Sequence, residues 1–524
     1  MPLRLALAVL AVLVLTLGCS TAEPAAPPQP TDPALVQTSN GTLRGTVTPG
    51  HRFFGGVPYA APPVGALRWQ PPQPAASWPG IRESAHPGPR CLQDQGDLEM
   101  GRQTDEDCLS LNVWTPPVSD ERRPVLVWIH GGSFINGSGG LYDSKWMTER
   151  GGIVVVTINY RLGTPGFLAH PALGKPGEVG NYGLEDQQAA LRWVRDNIAD
   201  FGGDPDKVTI AGESAGGMSV CDHLVAPGSE GLFRAAIIQS GPCQAQLPLP
   251  EAERISIDYA KAHGCGDAAT AAACLRALPA DKLRDPVHYY PLSDGLSGPV
   301  TGSAALPVDP TVAIAEGKAA KVPVLIGGNR DEFTLFVGVQ TLRNGREFTR
   351  EEYPGLLEKT FGADARAVGE RYPPERFGGS VSLAYSAAVT DGEFACVTER
   401  MTDELAAEVP VYGYEFNDPN PPTPEPFRTL PFRLGASHAL ELRYLFDTGG
   451  APPLNPTQRA LSDQMIDYWS AFVKNGTPDV AGAPEWPRLD PAHEELLSLQ
   501  PDGSRVMTDF DAIHQCDFWA GLAR

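Results

Sequence analysis

Six short apolar, β-branched runs separated by helical stretches constrain this chain more than any other feature. They are "PVLVWI" (124–129), "GIVVVTINY" (152–160), "KVTIAG" (207–212), "AAIIQS" (235–240), "VPVLIGG" (322–328) and "VPVYGYEF" (409–416). Such runs read as buried strands. Between two of them, "LEDQQAALRWVRDNIADF" (184–201) places Ala189, Leu191, Trp193, Val194 and Ile198 on one broad helical face. Strands alternating with helices predict an α/β fold, with a large, mainly parallel central sheet and helices on both faces. Upstream, "LVQTSNGTLRGTV" and "RFFGGVPY" read as antiparallel, hairpin-linked strands. The 524 residues would allow two to four domains. No internal repeat or composition break follows residue 34, so residues 35–524 read as one large domain whose long excursions shape a pocket.

The stretch "TIAGESAGGMSV" (209–220) sets Ser214 between Gly212 and Gly216. G-x-S-x-G after a strand and before a helix is the nucleophile elbow of α/β-hydrolases, a strained turn needing small residues on either side of the serine. The flanks supply both elements, with "KVTIAG" as the strand and "GGMSVCDHLVA" as the helix. Without them, a glycine-rich turn with an incidental serine is an equal reading.

A reactive serine needs a base, and its oxyanion needs donors. Upstream, "WIHGGSFINGSGG" (128–140) ends a strand in a turn of small side chains that lets backbone N–H groups point into a site. The helix starting at Ala215 adds its own N–H and the positive end of its dipole. The hydrolase chain order is serine, acid, histidine. Six histidines follow Ser214: His223, His263, His288, His438, His493 and His514. His223 falls in the helix after the elbow, His263 beside Cys265, and His493 in a Pro-rich, charged tail. His438, on the small-residue loop of "LGASHALELRYLF", best suits a side chain projecting into a site. Asp331 and Glu332 in "VLIGGNRDEFTLF" lie just past a buried strand, and the residues themselves leave the two open as the acid.

Lys and Arg number 41 against 63 Asp and Glu, a net charge of −22 that argues against nucleic-acid partners. Residues 1–18 read as an export signal, with Arg4 ahead of an apolar stretch too short to span a bilayer. "LTLGC" is similar to a bacterial lipobox, with Thr16 where that motif prefers Leu or Val. On this reading Cys19 is lipidated, giving a cell-envelope lipoprotein; plain secretion with cleavage elsewhere is the alternative. Residues 19–34 form a Pro-rich spacer. Eight further cysteines in an exported chain invite pairing, and their spacing alone permits 105 connectivities. No C-x-x-C or His-rich tract indicates a metal.

Taken together and in order, these blocks resemble the type-B carboxylesterase family, which includes the cholinesterases. "FFGGVPYAAPPVGALRW", "EDCLSLNVWTP", "NYGLEDQQAALRWVRDNIADFGGDP", "VTIAGESAGG", "NRDEFTLF", "GASHALEL", "YWSAFVKNGTP" and "CDFW" carry the likeness from about Val36 to Trp519. It implies a carboxylic-ester hydrolase with Ser214 as nucleophile, Glu332 as acid and His438 as base. Backbone N–H groups of Gly132, Ser133 and Ala215 would form the oxyanion hole. Ser133 stands where many relatives have a third glycine, a change that bears on pocket width. The family's disulfides carry over as Cys91–Cys108, Cys265–Cys274 and Cys396–Cys516. Cys221 and Cys243 remain, either paired or as two buried thiols. Glu213, beside the nucleophile, would add negative potential near the imidazolium; a tolerated polar residue in the elbow is the plainer reading.

The implied reaction runs through an acyl-enzyme on a small-molecule ester and calls for no metal or cofactor. In cholinesterases a tryptophan in the first disulfide loop binds the quaternary ammonium; here residues 92–107 hold no aromatic, which disfavours choline esters. Two other readings keep the fold: a non-catalytic binding or adhesion protein, and a lipase- or amidase-type hydrolase. The first is disfavoured because all three triad positions are filled.

Overall fold

All six apolar runs become strands of one eleven-stranded sheet in the computed structural model. It describes residues 32–93, 103–244, 246–289, 297–490, 492–493 and 495–522. The stretch read as an export signal, Cys19 and the expected spacer up to residue 31 lie outside these described residues.

In chain order the sheet strands are β1 (Thr46–Val47), β2 (Arg52–Pro58), β3 (Ser110–Thr115), β4 (Arg123–Ile129), β5 (Val154–Ile158), β6 (Gly203–Glu213), β7 (Ala235–Gln239), β8 (Val324–Asn329), β9 (Val411–Phe416), β10 (Leu496–Leu499) and β11 (Arg505–Met507). They lie side by side as β11-β10-β9-β8-β7-β6-β4-β5-β3-β2-β1. From β5 through β10 every pairing is parallel. The flanking pairs β5–β3, β3–β2, β2–β1 and β10–β11 are antiparallel. The expected upstream hairpin forms too, Leu35–Thr38 on Gly41–Arg44, in a separate three-stranded sheet.

Successive strand residues point to opposite faces, and both faces are covered. Along β4, Val125, Val127 and Ile129 pack with Leu191 and Val194 of helix α1 (Tyr182–Asn197) and Val220 and Leu224 of α2 (Ala215–Val225). Leu126 and Trp128 of the same strand pack on the other side with Met465, Trp469 and Phe472 of α3 (Pro456–Asn475). A strand buried on two faces has no polar side to show, so its sequence is continuously apolar. Each fully buried side chain contributes about 1.5–3 kcal/mol. This is the α/β-hydrolase architecture.

The helix expected over 184–201 is α1 followed by a 3₁₀ turn, Ile198–Phe201, which Gly202 closes in a left-handed conformation at φ 90°. Strand β6 starts at Gly203, four residues ahead of the apolar run, with a register shift between Gly203 and Val208.

Among the described residues four disulfides are formed: Cys91–Cys108, Cys221–Cys243, Cys265–Cys274 and Cys396–Cys516. The pair left open by the sequence is thus bridged, tying α2 to the loop after β7. Four bridges fit an extracytoplasmic protein. Among the described residues no helix is long and apolar enough to cross a membrane.

Candidate active site

Ser214 sits at the tip between β6 and α2 with φ 56° and ψ −125°, a region costly for any side-chain-bearing residue. The turn is possible because its neighbours lack side chains. A Cβ on Gly212 would overlap the backbone of Gly216, and one on Gly216 would overlap the carbonyl of Ile129. The strained serine is held by its N–H donating to Gln239 O (2.9 Å) and its carbonyl accepting from Met218 N–H (2.9 Å). Among the described residues its hydroxyl makes no hydrogen bond.

The loop after β4 runs beside this tip. A Cβ on Gly131 would come within 3.0 Å of Ser214 Cβ and 2.7 Å of Glu213 O. Gly132 has φ 106°, Ser133 φ 55° and Phe134 φ 58°, three successive residues with positive φ that turn the peptide groups out of the ladder. Among the described residues, the N–H groups of Gly132, Ser133 and Ala215 have no protein acceptor. The loop is pinned elsewhere: Gln93 donates to Gly137 O and accepts from Gly137 N–H, both at 2.9 Å, and Asn159 Oδ1 accepts from Gly139 N–H at 2.8 Å. His130 stacks on Tyr160 at 4.5 Å, and burial lowers its pKa to about 4, so it is a neutral structural ring.

Glu332 and His438 meet across the carboxyl end of β8. His438 Nδ1–H donates to Glu332 Oε2 at 2.6 Å, and Asn329 N–H donates to the other carboxylate oxygen at 2.7 Å. A carboxylate only accepts, so the proton is on Nδ1 and Nε2 is the basic nitrogen when the ring is neutral. That Nε2 makes no hydrogen bond among the described residues, and Glu213 Oε1 stands 3.2 Å from it. Asp331 takes a different path: its carboxylate accepts from Ala436 N–H at 2.9 Å and braces the loop carrying His438. The two neighbours that sequence could not separate thus have different partners.

Burial opposes a charge on His438, but Glu213 and Glu332 outweigh it and raise its pKa to about 9. Burial likewise pushes Glu213 up, against the pull of His438. The direction in both cases is toward holding a proton, and the facing atoms of this buried pair lie 3.2 Å apart.

Several site residues had no clear signal in the sequence. Glu441, buried three residues after His438, accepts from Asn329 Nδ2 (2.6 Å) and Gln239 Nε2 (3.3 Å); burial raises its pKa to about 7. An acid at i+3 in the apolar "HALEL" was the available hint. Phe336 and Phe394 pack on the His438 ring, with centroids 5.1 and 5.7 Å away.

Of the other histidines, His223 bonds Gln187 and Ser229, His263 its own helix through Tyr259 O, and His493 Asp490. His514 is buried between two carboxylates. Among the described residues, Cys396, Glu399 and Cys516 are the one group close enough to hold a metal, and both sulfurs are in a disulfide.

The sequence pattern of the carboxylesterase family matches residues 32–519. The chain is similar to the human cocaine esterase, 34% identical over 507 residues, covering 90% of this chain and 87% of that protein. It is 34% identical over 492 residues to the mouse acylcarnitine hydrolase, covering 87% and 85%. The fumonisin B1 esterase of Sphingopyxis macrogoltabida is 35% identical over 499 residues, covering 90% and 87%.

Proposed function

Because the chain belongs to the carboxylesterase family and is a carboxylic-ester hydrolase, we propose that it works by acyl transfer through Ser214, His438 and Glu332. The observation that carries this reading is the 2.6 Å bond from His438 to Glu332, with the carboxylate of Glu213, the residue before Ser214, 3.2 Å from the other ring nitrogen.

In the proposed cycle His438 Nε2 takes the Ser214 proton as Oγ attacks the ester carbonyl. The tetrahedral oxyanion is held by the N–H groups of Gly132, Ser133 and Ala215, which have no competing acceptor among the described residues. The imidazolium then protonates the departing alcohol, leaving Ser214 acylated. Water repeats the attack, its proton passing to His438, and the acid is released. Glu332 keeps the proton on Nδ1 and offsets the imidazolium charge. The substrates are small-molecule esters; the absence of aromatics from 92–107 disfavours those with a choline group.

Ser214→Ala should abolish hydrolysis of p-nitrophenyl acetate in folded protein, and retained turnover would refute the assignment. The series of p-nitrophenyl esters of rising acyl length ranks the acyl groups that fit. The second part of the proposal is attachment to a membrane through a lipid on Cys19, supported by "LTLGC". Metabolic labelling with a fatty-acid analogue tests it: label should appear on the full chain and vanish in Cys19→Ala.

A further inference from the structure

Between helices α4 (Val381–Val389) and α5 (Cys396–Ala406), residues Thr390–Ala395 form a π-helical turn. Such turns are rare and favour functional sites. One side of this turn faces the proposed triad. Phe394 lies against the His438 ring, and Thr390 Oγ1 accepts from the N–H of Phe333, the residue after Glu332, at 3.0 Å. The other side is held by the end of the chain, short helices α6 (Phe510–His514) and α7 (Cys516–Ala520), in three ways. His514 Nδ1 bonds Asp391 Oδ1 at 2.6 Å. The indole of Trp519 lies so close to Gly392 that an added Cβ would be 2.7 Å from the ring. Cys516 is bridged to Cys396.

His514 is the hub of this arrangement. Its Nε2 bonds Glu415 Oε1 of β9 at 2.7 Å, and Arg330 Nη1 reaches the other Glu415 oxygen at 3.2 Å. Asp391 also accepts from Tyr372 Oη–H at 2.8 Å, and Tyr372 accepts from Trp519 Nε1–H at 2.8 Å. With a carboxylate on each nitrogen, the ring is a doubly bonded imidazolium, and the two acids raise its pKa to about 10 against the opposing effect of burial. Glu332, Phe394, Glu415 and His514 line one cavity of ≈ 40 Å³, so the hub and the triad acid share a wall.

We propose that His514 is a positioning residue for ester hydrolysis, fixing through Asp391 the π-helical turn whose Phe394 and Thr390 set the His438 ring and the backbone next to Glu332. His514 touches no reacting atom and acts through the turn. A structural staple alone would cost stability without changing which esters react. A positioning residue moves selectivity as well, because Phe394 covers the base. This inference rests on the Ser214–His438–Glu332 reading.

The test is His514→Gln in the full chain, with Cys265→Ser/Cys274→Ser as a comparison that removes a disulfide elsewhere. Fluorophosphonate labelling of Ser214 and kcat and KM for short and long p-nitrophenyl esters are measured well below each Tm. In His514→Gln we expect labelling and kcat to fall at least tenfold and the short-to-long preference to change severalfold. The disulfide variant should lose Tm and keep the wild-type preference. Phe394→Ala should shift the preference too, and adding His514→Gln to it should shift it little further. If folded His514→Gln labels at the wild-type rate with unchanged preference, the inference is wrong. If wild-type protein itself does not label at Ser214, the triad reading fails instead.

Discussion

His438 Nδ1–H donates to Glu332 Oε2 at 2.6 Å, with both residues at most 5% exposed. A carboxylate this close fixes the tautomer and, in the proposed cycle, stabilises the cation that forms during proton transfer. Glu332→Gln keeps the shape and offers an amide in place of the acceptor pair. We expect kcat/KM to fall by roughly 10²–10⁴, on the scale known for such replacements. Steady-state kinetics on p-nitrophenyl acetate measures it, and a loss below threefold would remove Glu332 from the mechanism.

Glu213 adds a second acid beside His438, on the Nε2 side. In the proposed cycle activity needs neutral imidazole, so kcat/KM should rise as pH climbs through the His438 pKa. Glu213 raises that pKa, and Glu213→Gln removes the contribution. The rising limb should therefore move to lower pH. A limb that stays put or moves up would show that Glu213 is not charged when His438 titrates.

Gly216 leaves no room for a Cβ, since the carbonyl of Ile129 occupies that place. Gly216→Ala must push β4 and α2 apart, at a cost of about 1–3 kcal/mol as overpacking typically does. Thermal unfolding should show a lower Tm, with activity lost at temperatures where the variant is still folded. Unchanged Tm and activity would contradict the close approach described for this turn.

Ser133 holds φ 55° with a side chain, a conformation costing about 1–2 kcal/mol beyond glycine. Its proposed role uses only the backbone N–H. Ser133→Gly should keep kcat within a few-fold and be neutral or stabilising, offset in part by the freer unfolded chain. A large loss of kcat would assign the hydroxyl a part in the reaction.

Much of the architecture was readable because strands buried on two faces leave continuous apolar runs, as Val125–Ile129 do with helices on either side. The elbow was readable because its geometry demands glycine at 212 and 216. Choosing between Asp331 and Glu332 was not, since both follow β8 and only the local backbone decides which side chain meets His438. His514 was also hidden. Its partners lie 123 and 99 residues away, and nothing local marks a histidine that two distant carboxylates will hold.

The central claim is that Ser214 is a nucleophile activated by His438. Fluorophosphonate treatment of folded protein, followed by peptide mass mapping, tests it most directly. We expect a single adduct on Ser214, formed at least a hundredfold more slowly in His438→Ala. An adduct on another residue, or none in folded protein, would contradict it.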